Sequence, residues 1–360
     1  MNTIAVARRA LLVMSLSIVG LSAGAWAEAA PKPDKQMKAV LDELGKLNGK
    51  PIETLKAKEA RQQPTPADAV MKVLQKQGKP TDPEAVGKVA DLQIDGAEGK
   101  IPARVYTPKG TGPFPLIVYF HGGGWVIATI DTYDASARAL ANGAEAVLLS
   151  VEYRKAPENK FPAAHNDAFA AYQWALAHAQ ELNADPTRIA VAGESAGGNL
   201  AANVSIMARD KGIQMPVHQL LVYPVAGSDM ETESYKVNAN AQPLNKAGMK
   251  WFVEQTFTSP EEAKDPRISL VSANLAGLPS TTLITDEIDP LRSEGMMLTE
   301  KLKAAKVEVD HKDYTGVTHE FFGMGAAVDK AKDAEKYASS RLKKAFKKAP
   351  SQARNPARRR

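Results

Sequence analysis

The chain has 360 residues, of which 44% are hydrophobic and 24% are charged, a composition that excludes a disordered, collagen-like or coiled-coil protein. Its formal net charge of +5 comes from the two ends. Residues 341–360 hold nine basic and no acidic side chains, and residues 1–27 hold two arginines and no acid, which leaves an acidic body with a net charge of −6. Because the body is acidic, no specific nucleic-acid partner is expected. No cysteine is present, which excludes disulfides, thiolate metal sites and a cysteine nucleophile.

The first 27 residues contain the three parts of an export signal. Arg8 and Arg9 precede an apolar run over 10–21, and Ala25-Trp26-Ala27 supplies a small-residue cleavage pattern. An uncleaved membrane anchor is the weaker interpretation, because a spanning helix needs about 20 apolar residues and serine and glycine interrupt this run. We predict a cleaved signal peptide over 1–27 and a periplasmic or secreted protein, with the Sec and twin-arginine routes both open.

The pattern of apolar residues indicates an α/β fold. Residues 28–88 show helical spacing interrupted by prolines, and from residue 89 onward strand-like runs come first and then alternate with helical ones. This order is typical of a mostly parallel sheet with helices on both faces. The predicted strands are Leu92–Ile94, Ala103–Tyr106, Leu116–Phe120, Ala146–Val151, Arg188–Ala192, Gln219–Tyr223, Thr281–Thr285 and Val307–Tyr314. The predicted helices are Ala163–Leu182, Ala196–Arg209, Leu291–Lys306 and Ala326–Lys344.

The strongest chemical signal is the G-x-S-x-G pattern in Gly193-Glu194-Ser195-Ala196-Gly197-Gly198. It lies between a predicted strand and a predicted helix, which is the setting of a nucleophile elbow. The glycines are needed because Cβ atoms at their positions would collide with neighbouring backbone in so tight a turn. This geometry would expose the hydroxyl of Ser195 at the positive end of a helix, so Ser195 is predicted to be a catalytic nucleophile.

A second glycine-rich segment, His121-Gly122-Gly123-Gly124-Trp125, directly follows a predicted strand. Consecutive glycines are costly unless the backbone must approach another group closely. We expect the N–H groups of Gly122 and Gly123, together with that of Ala196, to form an oxyanion hole. His121 is expected to orient this loop, since it precedes the nucleophile in the chain.

The remaining partners of a serine nucleophile should follow it in the order acid, then histidine. His319 lies in a loop after the last predicted strand, whereas His311 lies within that strand, so His319 is the predicted base. Asp289 lies between a strand and a helix and is the predicted acid, with Asp286 and Glu287 as alternatives. Its carboxylate would orient the imidazole and stabilise its charged form.

These motifs together resemble the hormone-sensitive-lipase-like family of bacterial carboxylesterases. The segment Glu152-Tyr153-Arg154-Lys155-Ala156-Pro157-Glu158 with the later Phe161-Pro162-Ala163-Ala164 is similar to a further motif of that family. Glu194, Ser293 and Glu320 depart from its usual residues. The resemblance implies an α/β-hydrolase fold with an N-terminal helical cap. The implied domains are the cap over 28–88 with part of 226–265 and a catalytic domain over 89–346. The family pattern has no counterpart for residues 347–360, whose basic residues and prolines predict a disordered tail.

The predicted function is that of a serine carboxylesterase that hydrolyses short- to medium-chain esters through an acyl-enzyme. Trp125, Trp251 and Phe252 are predicted to line the substrate pocket, and no metal or organic cofactor is expected. The expected partner is a small-molecule ester, a homodimer is left open, and the tail could contact anionic surfaces. The alternatives are a periplasmic serine amidase or lactamase on the same fold, and a non-catalytic binding protein.

Overall fold

A computed structural model describes residues 30–349. The elements given below belong to one compact unit that begins at Pro31. The predicted signal peptide, 1–27, and residues 350–360 of the predicted tail lie outside the described residues. No helix within 30–349 is both long enough and apolar enough to cross a membrane.

The described residues form one sheet of eight strands in the spatial order β1-β2-β4-β3-β5-β6-β7-β8. β1 pairs with β2 and β2 with β4 in antiparallel fashion, and all other neighbours are parallel. The predicted mostly parallel sheet is therefore confirmed. The strands are β1 (Lys88–Gly96), β2 (Gly99–Thr107), β3 (Phe114–Phe120), β4 (Val147–Val151), β5 (Ala184–Glu194), β6 (Gln219–Val222), β7 (Thr281–Ile288) and β8 (Val309–Thr318).

Ten α-helices lie within the described residues, and four short 3-10 turns lie at Ile52–Thr54, Pro260–Lys264, Leu270–Ser272 and Phe322–Met324. The helices are α1 (Lys35–Lys46), α2 (Ala57–Ala60), α3 (Pro66–Lys76), α4 (Asp134–Ala144), α5 (Ala163–His178), α6 (Ala196–Asp210), α7 (Glu233–Val237), α8 (Lys246–Thr256), α9 (Arg292–Ala304) and α10 (Asp329–Lys348).

Two features of the helices differ from the prediction. α4 was not predicted, because its buried face consists mainly of alanines with a single leucine and so offers few large apolar side chains to mark a helix. α10 continues to Lys348, so Lys347 and Lys348 belong to the last helix and not to the predicted tail. The helix extends because Leu342 and Phe346 are buried in the core at helical spacing.

The chemical motifs all lie at the carboxyl ends of the strands, because neighbouring parallel strands end on the same side of the sheet. β3 and β5 are central, and Leu116–Phe120 and Ile189–Ala192 are fully buried. Phe120 is in register with Gly193, so the triple-glycine loop and the nucleophile turn leave the sheet side by side. Ile288 is in register with Thr318, so Asp289 and His319 each follow directly after paired residues.

The N-terminal helices pack against the body of the protein beside the His319 loop. Met37, Val40, Val70 and Val73 bury the apolar faces of α1 and α3 in the same core cluster as α4 and α10. The hydroxyl of Thr318, which precedes His319, lies 3.6 Å from the sulfur of Met37. These helices therefore support the residues that hold the histidine loop.

Candidate active site

Ser195 occupies a strained turn between β5 and α6. Its φ of 56° lies in the left-handed region and its ψ is −119°, and the turn is held by a hydrogen bond from the Ser195 N–H to the carbonyl of Val222 (2.9 Å). A Cβ at Gly193 would lie 2.1 Å from the carbonyl oxygen of Gly197, and a Cβ at Gly197 would lie 2.0 Å from that of Phe120. Both glycines are thus required sterically, as the motif indicated, and the turn leaves Ser195 at the first turn of α6.

The hydroxyl of Ser195 forms a chain of hydrogen bonds with His319 and Asp289. Ser195 Oγ lies 2.9 Å from Nε2 of His319, and Nδ1 of His319 lies 2.7 Å from Oδ2 of Asp289. The other oxygen of Asp289 accepts the N–H of Leu291 (2.8 Å), which fixes the carboxylate at the start of the following helix. In the tautomer that this chain requires, Nδ1 donates to Asp289 and Nε2 accepts from Ser195.

The imidazole of His319 is buried but surrounded by negative charge. Burial lowers the pKa of His319, but the charge and hydrogen bond of Asp289, with smaller contributions from Glu320 and Glu194, outweigh it and raise the pKa above its ordinary value. The ring of Tyr223 packs against the imidazole with 4.6 Å between centroids. The site therefore favours the imidazolium that forms when the histidine takes a proton.

The alternative acids and the alternative histidine take no part in the hydrogen bonds that link Ser195, His319 and Asp289. Asp286 is fully buried, and neither of its oxygens has a hydrogen-bond partner among the described residues; burial raises its pKa well above the ordinary value. Glu287 accepts the N–H of Gly316 (2.7 Å). His311 pairs through Nε2 with the hydroxyl of Thr285 (2.8 Å). The structure thus joins Asp289 and His319 to the nucleophile by hydrogen bonds and leaves the three alternatives without a bond to any of these residues.

The triple-glycine loop lies beside Ser195 and packs closely against neighbouring residues. Gly123 lines the same cavity as Ser195, has a φ of 90°, and would place a Cβ 2.4 Å from the carbonyl oxygen of Ile127. Gly122 is not among the residues that line the cavity; a Cβ there would meet the hydroxyl of Tyr133 at 2.2 Å. Ala196 is the first residue of α6, so its N–H has no acceptor one turn earlier in the helix.

His121 supports this loop, as the sequence indicated. It is fully buried, and its ring stacks on Tyr153 with 4.4 Å between centroids. The hydroxyl of Tyr153 donates to the carbonyl of His121 (2.8 Å). Burial lowers the pKa of His121 to about 4, so its ring is neutral near pH 7. The Glu152–Glu158 segment therefore acts on the site by holding the glycine loop in place.

A cavity of about 750 Å³ opens onto Ser195 and His319. Trp125 and Phe252 both line it. A Cβ at Gly124 would lie 2.2 Å from the Phe252 ring, so the glycine allows this ring to cover the loop. Trp251 does not line the cavity, which corrects the prediction for this residue. Its indole N–H instead donates to the carbonyl of Leu55 (2.9 Å) and ties α8 to the N-terminal segment.

Two acidic side chains near the triad of Ser195, His319 and Asp289 have partners that the local sequence does not indicate. Glu194 is buried beneath the nucleophile and accepts hydrogen bonds from the hydroxyls of Tyr119 and Tyr223. Glu320 lines the cavity and accepts hydrogen bonds from the hydroxyl of Tyr133. Both acids were visible only as departures from a family pattern. The tyrosines carry no local motif, because they lie far from their partners in the chain.

Asp286, Asp289 and His319 also form the one group within residues 30–349 whose ligand atoms are close enough to hold a metal ion, since these atoms lie within 4.8 Å of one another. However, Asp289 and Ser195 already engage both ring nitrogens of His319. A metal ligand needs a free nitrogen lone pair, so the hydrogen-bonded chain and a metal site exclude each other here.

Comparison with known proteins identifies the family. A family model for the α/β hydrolase fold matches residues 117–323. The chain is 42% identical to the carboxylic ester hydrolase LipN of Mycobacterium tuberculosis over 243 residues, which is 66% of this chain and 65% of LipN. It is 32% identical to an ethyl acetate hydrolase of Pseudomonas putida over 83% of this chain and 94% of that protein. The structure also superposes on a thermostable esterase from Pseudomonas putida with a TM-score of 0.79 and 34% identity, covering 88% of this chain and 99% of that one. The matched segment is more than half of the chain, the predicted resemblance is confirmed, and the protein belongs to the α/β hydrolase family.

Proposed function

We propose that this protein is a serine carboxylesterase in which Ser195 is the nucleophile, His319 the general base and Asp289 the acid that orients it. The observation that carries the proposal is the hydrogen-bonded chain from Ser195 Oγ through His319 to Asp289, which opens into the 750 Å³ cavity. Its family membership and the ester hydrolases among its relatives agree with this activity. Neither the amidase or lactamase alternative nor the binding-protein alternative is supported by the comparisons.

In the proposed reaction His319 takes the proton of Ser195 while Oγ attacks the ester carbonyl. The N–H groups of Gly122, Gly123 and Ala196 stabilise the oxyanion. The imidazolium then protonates the departing alcohol, which leaves an acyl group on Ser195. Water activated by His319 attacks this acyl-enzyme, and the acid is released as the serine regains its proton.

The cavity supports short- to medium-chain esters as substrates. Its volume is within the range of sites that hold one small organic molecule. The rings of Trp125 and Phe252 supply apolar surface on its wall, and such surface favours an aliphatic acyl group. We therefore expect the specificity constant to rise with acyl length while the chain still fits and to fall beyond that.

The test is a series of p-nitrophenyl esters of increasing acyl length, assayed with the wild-type protein and with Ser195→Ala, which should lose the activity. His319→Ala should lose it as well. His311→Ala is the matched control, because it removes the same side chain from β8 outside the hydrogen-bonded chain, and it should remain active. Ester hydrolysis that survives Ser195→Ala would overturn the proposal, and turnover of an amide with no turnover of any ester would favour the amidase alternative.

We also propose that the precursor is exported, with cleavage after Ala27, and that residues beyond Lys348 contribute affinity for anionic surfaces. These proposals rest on the basic, apolar and small-residue parts of 1–27 and on the acid-free composition of the C-terminus. The mass and N-terminal sequence of the protein from the periplasm test the first. Removal of 350–360 tests the second: binding to anionic vesicles in low salt should weaken while ester turnover stays the same. Sedimentation of the purified protein decides whether it forms a homodimer.

A further inference from the structure

Glu320, the residue directly after the proposed base, occupies an unfavourable backbone conformation. Its φ is 72°, in the left-handed region where the backbone of any residue other than glycine is strained. Such strain persists only where the surrounding structure holds the backbone in place. The side chain is 22% exposed and lines the cavity that contains Ser195. A strained acidic residue on the wall of an active-site cavity calls for a chemical explanation.

A single tyrosine fixes the orientation of the Glu320 carboxylate. The hydroxyl of Tyr133 lies 2.6 Å from Oε1 and 2.7 Å from Oε2, so it bridges both oxygens. Tyr133 is itself buried at the N-terminal end of α4. One hydroxyl proton leaves most of the acceptor capacity of the carboxylate unused. Tyr133 therefore fixes the position of both oxygens, which can still accept a further hydrogen bond or interact with a positive charge in the cavity.

The carboxylate faces the reacting nitrogen of the triad. Oε1 of Glu320 lies 3.9 Å from Nε2 of His319, the nitrogen that accepts the hydrogen bond of Ser195. We propose that Glu320 is a positioning residue that stabilises the imidazolium of His319 from its Nε2 side, as Asp289 does from its Nδ1 side. This inference rests on the proposed role of His319 as general base.

The charged groups packed around His319 do not neutralise Glu320. Asp289 and Asp286 come from β7 and the loop after it, Glu194 from the end of β5, and Tyr223 from the end of β6. Among the described residues, no lysine or arginine forms an ion pair with Asp289, Glu194 or Glu320. Burial and the nearby charge of Asp289 raise the pKa of Glu320 above its ordinary value, against the charge of His319 and the hydrogen bond from Tyr133, which lower it. Charge on the imidazole and charge on Glu320 thus stabilise each other.

The stabilisation acts when positive charge develops. In the resting enzyme Nε2 carries no proton and accepts from Ser195. After proton transfer the ring is cationic, and its Nε2–H must then donate the proton to the departing alcohol. An acceptor at 3.9 Å is too distant for a hydrogen bond, so Glu320 does not compete for this proton. Its contribution is Coulombic, and the charge of Glu320 raises the pKa of His319.

The experiment compares Glu320→Gln with the wild type in pH profiles of kcat/KM on a neutral p-nitrophenyl ester. Glutamine keeps the size of the side chain and removes its charge. The acid limb, which reports the pKa of His319 in the free enzyme, should move to lower pH by about 1 unit, and kcat on the plateau should fall. Tyr133→Phe removes the one side-chain donor that the carboxylate has among residues 30–349 and should move the limb in the same direction by less.

Glu300→Gln is the matched control, because it removes one negative charge from the exposed surface of α9. Its acid limb should coincide with that of the wild type. An acid limb that stays in place in both Glu320→Gln and Tyr133→Phe, with kcat lowered equally at every pH, would reduce Glu320 to a structural role and overturn the inference. An equal shift in Glu300→Gln would also overturn it. Failure of the proposed function is distinguishable, because it appears as ester hydrolysis that survives Ser195→Ala.

Discussion

The hydroxyl of Tyr119 lies 2.5 Å from Oε1 of Glu194, directly beneath the nucleophile turn. Tyr223 donates to the other oxygen at the same distance, and its ring packs against His319. Burial raises the pKa of Glu194 to about 7, against the opposing effect of the two tyrosines. Glu194 therefore links the strand that carries Ser195 to the ring that supports the histidine, and it titrates near neutral pH.

This titration predicts a pH-dependent stability. Glu194 has a pKa of about 7 in the folded protein and 4.5 as its ordinary value. Its contribution to stability is therefore fully present below pH 4.5 and is lost as pH rises through 7, because the folded state resists losing the proton. Glu194→Gln removes this dependence, so the Tm of the variant relative to the wild type should increase between pH 4.5 and 8. Thermal unfolding across this range measures it, with Glu300→Gln as the control that should show a constant difference. A constant difference for Glu194→Gln as well would be incompatible with a buried titrating carboxyl.

A second prediction separates two neighbouring acids. Asp289→Asn should lower kcat by about 10⁴-fold, because an amide can favour the wrong histidine tautomer. Asp286→Asn makes the same chemical change three residues earlier, at a buried carboxyl that has no hydrogen-bond partner among the described residues. It should keep most of the activity and gain stability at pH 8, because burial already disfavours its charged form. Single-turnover rates on a p-nitrophenyl ester measure both variants. Equal losses of rate would place Asp286 in the hydrogen-bonded chain.

The parts of the site that the sequence predicts are those set by local geometry. The nucleophile turn, the triple-glycine loop and the order of acid and histidine all depend on what a few consecutive residues can do at the end of a strand. Gly193 and Gly197 illustrate this, because Cβ atoms there would collide with backbone a few residues away or in the neighbouring strand. Parallel pairing then brings these strand ends together, so a strand pattern and short motifs suffice to predict the site.

The parts that the sequence does not predict depend on contacts between distant segments. Tyr133 reaches Glu320 across 187 positions of the chain, and the indole of Trp251 reaches Leu55 across 196. Nothing in the local pattern distinguishes a tryptophan that lines a cavity from one that anchors a helix, since both are buried and aromatic. Phe252 is its immediate neighbour and does face the cavity, because successive residues of a helix point about 100° apart.

This difference predicts distinct effects of two adjacent substitutions. Phe252→Ala removes apolar surface from the cavity wall and should raise KM for butyrate and hexanoate esters more than for acetate. Trp251→Phe keeps an aromatic ring but removes the N–H that Leu55 accepts. It should cost about 1 kcal/mol of unfolding free energy and leave the acyl-chain preference unchanged. Urea unfolding and a chain-length series measure the two effects. A changed chain-length preference in Trp251→Phe would return Trp251 to the substrate pocket.

The charge of Glu320 also predicts how the enzyme discriminates between esters. Its Oε1 lies 3.9 Å from Nε2 of His319, and Ser195 Oγ lies 2.9 Å from the same nitrogen, so the carboxylate is close to the reacting hydroxyl. A substrate with a carboxylate on its acyl chain would place like charges together in a cavity with apolar walls, where screening by water is weak.

The wild type should therefore prefer p-nitrophenyl butyrate to the hemisuccinate ester, which has a similar length and one negative charge. Glu320→Gln should narrow this preference about tenfold, and added salt should narrow it in the wild type but not in the variant. Because both substrates use the same His319, the ratio of their kcat/KM values cancels any change in its basicity. A ratio that is identical in the wild type and in Glu320→Gln would show that the carboxylate does not act on the bound substrate.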